Sequence, residues 1–152
     1  MDHEAQNKTY NKYIRILFDS ENWKERAEAA QKIGNMKLGR ASNMLIRKLE
    51  KETDQVVINN IIEALGKIGD PKATLSILKI LNKELEKSEE DQDKSRLFVI
   101  IEALMKIGDK RSLEQLGVLK NSCDAEIQKL TEEALECIDP NWKENIKSSK
   151  NN

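Results

Sequence analysis

The stretch EALGKIGD occupies residues 63–70, and EALMKIGD occupies residues 102–109. Seven of their eight letters agree, 39 positions apart. Weaker copies flank them, EAAQKIGN at 28–35 and EALECIDP at 133–140. Aligned on Ile33, Ile68, Ile107 and Ile138, the four lines are spaced 35, 39 and 31 residues apart. Self-similarity at such periods marks a solenoid, in which one supersecondary unit cannot bury its apolar face alone but stacked copies can.

Each line closes an apolar stripe of helical period. The stripe is Val57, Ile61, Ala64, Leu65 and Ile68 in the second unit, and Leu97, Ile100, Ile101, Leu104 and Ile107 in the third. In the fourth it is Ile127, Leu130, Ala134, Cys137 and Ile138. Gly69 suits the left-handed residue that ends a helix. Asp70 can cap the next helix and Pro71 fits its first turn. Gly108-Asp109 repeats the device without the proline, and Asp139-Pro140 keeps the cap without the glycine. Links this short fold successive helices back on one another. Second helices are therefore expected from Leu38 to about Lys51, Pro71 to about Leu85 and Lys110 to about Lys120. The expected order is a cap helix at 4–19, repeats at about 21–52, 53–85, 92–121 and 122–147, and a frayed tail at 148–152, all in one domain.

The ten residues from Ala64 to Ala73, ALGKIGDPKA, resemble the HEAT-like repeats named after phycobilisome lyases, whose first helix ends in A-L-G-x-I-G-D before P-x-A. The resemblance spans about residues 22–139. It implies an all-α, right-handed α-α superhelix of about four HEAT-like helical hairpins. Relatives of this kind are mostly protein-binding scaffolds, with some chromophore-lyase subunits. One departure concerns the Val-Arg pair that such repeats carry early in the first helix. Here Val57 is followed by Ile58, Arg96 is shifted, and Ile127-Gln128 stands in the fourth unit, so no regular Arg–Asp ladder is expected.

Composition agrees with a helical, folded chain. Charged residues make up 35% and aromatics 4% of 152 residues, with two prolines. MDHEAQNKTY holds no apolar signal region, and no run approaches a membrane span. Cys123 and Cys137 lie too far apart on one helix to bridge, which points to reduced thiols and a cytoplasmic protein.

Residues for catalysis are scarce. His3 is the lone histidine, in the N-terminal tail. No Cys, His or carboxylate cluster has metal-ligand spacing, and the glycine pairs Gly34/Gly39 and Gly66/Gly69 lack a phosphate loop's Gly-Lys-Ser/Thr, so no cofactor is expected. Gly66 reads as a point of close helix approach. Cys123, near a helix start, is a redox candidate against the alternative of an ordinary thiol, and Cys137 reads as core. Trp23 and Trp142 stand at the two ends of the array, either covering its terminal faces or serving as exposed anchors.

Charge separates by layer. Residues 36–51, 71–83 and 110–121, the second helices, carry a net +9, whereas the first helices and their leading segments carry −12. Helical wheels put Arg40, Asn43, Arg47 and Lys51 opposite the apolar stripe of the first such helix, and Lys72, Lys79 and Lys83 opposite that of the next. Arg111 continues the row. With second helices usually concave in such solenoids, the expectation is a basic concave face and an acidic back. Such a face would bind an acidic or phosphorylated protein segment, or alternatively a nucleic-acid backbone. The bland reading is a solvated surface. A lyase-type subunit is a further alternative carried by the resemblance alone. Residues 84–93, ELEKSEEDQD, read as a solvated helix end and loop or as an acidic lip competing for the basic face. The leading expectation is a non-catalytic interaction scaffold with no membrane partner.

Overall fold

The computed structural model describes residues 2–150, with side chains up to Ile146. Among these residues the helices are α1 (His3–Asp19), α2 (Trp23–Met36), α3 (Ala41–Lys51), α4 (Gln55–Ile68), α5 (Thr74–Leu85), α6 (Lys94–Ile107), α7 (Leu113–Leu119), α8 (Ala125–Ile138) and α9 (Trp142–Lys150). Short 3₁₀ turns at Pro71–Ala73 and Lys110–Ser112 lead into α5 and α7, and a third at Glu89–Asp91 lies in the longer link before α6. α9 carries helix three residues into the tail expected to fray, and residues 151 and 152 lie outside the described ones.

Local chemistry sets the boundaries. Asn22, Asp54, Asp93 and Asp124 cap α2, α4, α6 and α8 with side-chain oxygens that accept from first-turn N–H groups. Left-handed residues end α2, α4 and α6, at Lys37 (φ 52°), Gly69 (φ 76°) and Gly108 (φ 73°). These positions are 32 and 39 residues apart, which corrects the alignment of the first repeat. Met36, not Ile33, is the equivalent of Ile68, and Ile33 falls in register with the fully buried Leu65 and Leu104. A slide of three residues keeps a helix face nearly in place, so letter similarity did not separate the two registers.

The first helices α2, α4, α6 and α8 form one layer, which α1 extends at the N-terminal end, and α3, α5, α7 and α9 form the other. Each of α3, α5 and α7 packs on the first helix of the following repeat. The core runs between the layers. Ile33, Leu65, Leu104 and Leu135 meet it from one side, and Leu45, Ile77 and Leu116 from the other, all fully buried. Burying each such side chain contributes about 1.5–3 kcal/mol.

The two layers differ in spacing. Gly34 lies against Ala64, where an added Cβ would come within 2.7 Å of the Ala64 Cα, and Gly66 lies as tightly on Ala103, at 2.8 Å. The expectation for Gly66 holds. Neighbouring first helices therefore pack far more closely than neighbouring second helices. The second-helix layer is the more open of the two. That layer offers the clefts between splayed helices.

Two readings of single residues change. Cys137 is exposed rather than core, because α8 buries Ile127, Thr131, Ala134, Leu135 and Ile138, a stripe rotated away from it. The tryptophans part company. Trp142 is 4% exposed and donates from Nε1 to Glu136 Oε1 at 2.7 Å, while Trp23 is 41% exposed.

The close contacts make a test. Gly66→Ala gains about 1 kcal/mol of helix propensity but must displace the Ala103 backbone, and overpacking of this kind costs about 1–3 kcal/mol. Urea denaturation is expected to show a net loss for Gly66→Ala. Gly39→Ala, with nothing within 4 Å, is expected to be neutral or slightly stabilising. Equal midpoints for the two variants would refute the close-approach account.

Candidate interaction face

With the register fixed by the helix ends, the basic residues fall into rungs. Arg40, Lys72 and Arg111 share one position of the second helices, Arg47 and Lys79 a second, and Lys51 and Lys83 a third. The corresponding places in the third repeat hold Val118 and Ser122, so the ladder is strongest across α3 and α5. All eight residues expected at the site, Asn43 included, are exposed.

Their engagements differ. Arg40 donates to Asn7 Oδ1 at 2.6 Å and stacks on the Tyr10 ring at 4.5 Å, so α1 holds it. Arg111 forks onto Asp109, with its shortest contact 2.7 Å, and reaches the Pro71 carbonyl at 3.2 Å. That fork outweighs partial burial and holds the Asp109 carboxyl at about 2. Arg47 Nη1 lies 4.0 Å from Met44 Sδ and makes no ion pair among the described residues. Lys51, Lys72, Lys79 and Lys83 make no side-chain hydrogen bond or ion pair among the described residues. The structure thus brings Arg47 and these four lysines to one face as uncommitted cations and ties down the two outer arginines.

A cleft of about 390 Å³ opens between α3 and α5. Leu49, Ile58 and Ile80 supply its apolar lining, and Lys79, Lys83 and Lys87 its cations. Three groups the sequence reading did not place at a site also line it: Glu52, Glu84 and Arg96. Glu52 and Glu84 sit 32 residues apart at the same point of successive repeats, just where a second helix ends. The Glu52 side chain is 2% exposed. It receives Arg26 Nε and Nη2 at 3.0 and 2.9 Å, Lys48 Nζ at 3.4 Å, and the backbone N–H groups of Thr53 and Asp54 at 3.2 and 3.1 Å. Burial would raise its pKa, but the bonds from Arg26 and Asp54 and the charge of Lys48 together bring it from 4.5 to about 2. Glu84 repeats the arrangement, accepting from the Asp93 N–H at 3.1 Å and pairing with Lys87 at 2.9 Å.

Arg96 is 5% exposed. It occupies the register position at which α4 and α8 bury Val57 and Ile127. Nε donates to Asn59 Oδ1, and Nη2 donates to Gln55 Oε1 at 2.6 Å. Nη2 also reaches the Gln55 carbonyl at 3.5 Å, so all its acceptors are neutral, and no carboxylate forms an ion pair with Arg96 among the described residues. Burial pulls its pKa down, opposed by the more distant charges of Glu84 and Asp93. Among the described residues no Arg–Asp ladder runs between repeats. Arg96 to Gln55 and Asn59 and Arg111 to the Pro71 carbonyl join neighbouring repeats in its place, while Arg26 to Glu52 ties together the two helices of the first repeat. The signal that finds these groups is register: a charged residue at a position that is buried in the neighbouring repeats.

The segment at 84–93 makes no ion pair with the ladder. Its Glu89 instead accepts from the Cys123 N–H at 3.3 Å. A bond from the thiol to Glu89 pushes the Cys123 pKa up, which is contrary to what a reactive thiolate needs. No group of three or more His, Cys, Asp or Glu among the described residues could hold a metal ion. No helix among them is long and apolar enough to cross a membrane.

Paired helices in two stacked layers define an α-helical repeat protein. A family model for HEAT repeats matches residues 11–88, just over half of the chain, and the chain belongs to the HEAT repeat family. HEAT repeats generally mediate protein–protein interaction, and the family is typically a non-enzymatic scaffold. No curated protein matches the chain.

The lowered pKa of Glu52 gives a pH prediction. Stability from a depressed carboxylate is full above its unfolded value of 4.5 and is lost as pH falls toward about 2. At 1.36 kcal/mol per pKa unit this amounts to on the order of 3 kcal/mol, with about 2 kcal/mol gone by pH 3. Urea unfolding at pH 7 and pH 3 is expected to show a smaller pH loss in Glu52→Gln than in the native chain. An identical pH loss in both would sink the assignment.

Proposed function

We propose that this protein is a non-catalytic interaction module that binds an acidic or phosphorylated segment of another protein across α3 and α5. One observation supports this above the rest: Arg47, Lys51, Lys72, Lys79 and Lys83 recur at repeat spacing, exposed and without a side-chain carboxylate partner. Surface lysines that merely solvate a helix commonly meet Glu or Asp three or four residues away. On this face the two such pairs among the described residues, Lys48 to Glu52 and Lys87 to Glu84, both close on a buried carboxylate at a helix end and leave the five ladder cations out.

Geometry limits the ligand. Neighbouring helices stand about 10 Å apart, and an extended chain advances about 3.3 Å per residue. A strand laid across α3 and α5 would therefore meet successive rungs with about every third residue. An acidic residue at each third position is the pattern that fits. Stacked bases would find no platform, since α3, α5 and α7 contain no aromatic residue.

The test is capture from source lysate with the native chain and with a variant carrying Arg47→Glu, Lys79→Glu and Lys83→Glu, followed by titration of the captured partner. The expected result is an acidic protein retained by the native chain and lost by the variant, with affinity falling as salt rises. Equal retention by both would make the face a solvated surface. Nucleic acid as the captured species would replace the peptide reading.

A further inference from the structure

We propose that the cleft between α3 and α5 is a carboxylate-binding site, in which the Arg96 guanidinium takes an Asp or Glu side chain of the bound segment. This deepens the reading above and rests on it. Arg96 is buried and lines the cleft, yet its acceptors, the Asn59 and Gln55 side-chain oxygens and the Gln55 carbonyl, are all neutral. Its Nη1 makes no hydrogen bond among the described residues and is not sealed from solvent. A buried charge that has hydrogen bonds but no ion pair is costly, and a chain that only needed to fill this slot could use an aliphatic residue, as it does at Val57 and Ile127.

The cleft suits one acidic side chain. Lys79 and Lys83 line it without ion pairs of their own, and Leu49, Ile58 and Ile80 can receive the methylene stem. Nη1 is left to donate a charge-assisted hydrogen bond to a carboxylate oxygen that enters the cleft. Glu50, Glu52 and Glu84 also line the cleft, so a phosphate dianion meets more repulsion there than a monoanionic carboxylate.

The experiment uses the full chain and two synthetic octapeptides, one of glutamate and one of glutamine, with inorganic phosphate as a third probe. Binding is read by titration, and the arginine Nε–Hε resonance of Arg96 by NMR. Two variants are compared, Arg96→Leu and the triple Arg47→Glu, Lys51→Glu, Lys72→Glu, which leaves every cleft-lining residue in place. Octaglutamate is expected to bind saturably and to shift the Arg96 resonance, while octaglutamine does neither. Arg96→Leu is expected to keep the helical signal and weaken binding about tenfold or more, as loss of a hydrogen bond between charged groups does. Octaglutamate binding that is equal in native and Arg96→Leu chains but lost in the triple variant overturns the cleft site and leaves the basic face standing. An Arg96 resonance unmoved at saturation overturns it as well, whatever the folding of the variant. A resonance moved by phosphate alone overturns the carboxylate assignment. No octaglutamate binding to the native chain at low salt removes the basic-face reading and this one together.

Discussion

Two glycines set the spacing on which the rest of the molecule depends. Where Gly34 meets Ala64 and Gly66 meets Ala103, the first helices touch backbone to backbone. No side chain can enter those contacts without moving a main chain. The second helices, which carry Leu, Ile and Lys instead, cannot close to the same distance, so α3 and α5 stand apart and a cleft opens between them. The acidic and basic layers follow the same division. The closer layer presents carboxylates outward, and the splayed layer presents lysines beside a space that a ligand can enter.

The cleft has a second set of constraints at its end. Glu52 and Glu84 are carboxylates drawn inward from the ends of α3 and α5, each accepting backbone N–H groups at the start of the next repeat. They do for the junction between repeats what an N-cap does within one helix, and they bring negative charge to the inner wall. Glu52 is answered by Arg26 and Lys48, and Glu84 by Lys87. Arg96 sits beside this wall without an ion pair of its own. The positive face is thus not a uniform lysine surface but one with a buried guanidinium behind it.

Much of the fold was legible in the sequence because its signals are local. Gly69 and Gly108 after the stripes, Asp caps before them and an apolar period near 3.6 are all read within one turn. The exposed positions of the ladder followed from the same helical wheels. What escaped depended on three dimensions. The register of the first repeat was hidden because Lys37 takes the left-handed position that glycine holds elsewhere. Cys137 lay on an acceptable stripe, but the packing of α8 selects a neighbouring one through Thr131. Glu52, Glu84 and Arg96 were invisible as a group because their meeting requires the splay between α3 and α5, which no single helix encodes.

Neighbour-only packing also has a consequence in time. Every helix touches elements close to it in the chain, so folding closes short loops, and the entropy of bringing distant segments together is small. Such an array can begin at its best-packed junction and grow outward, one unit at a time. That junction is α2 with α4, where Gly34 lies on Ala64. The seven-residue α7, by contrast, offers little surface to build on. Amide protons of α4 are then expected to exchange last, with the C-terminal units opening before the N-terminal half. The basic cleft lies in the slower half, so a bound segment would meet a face already formed rather than one it must order.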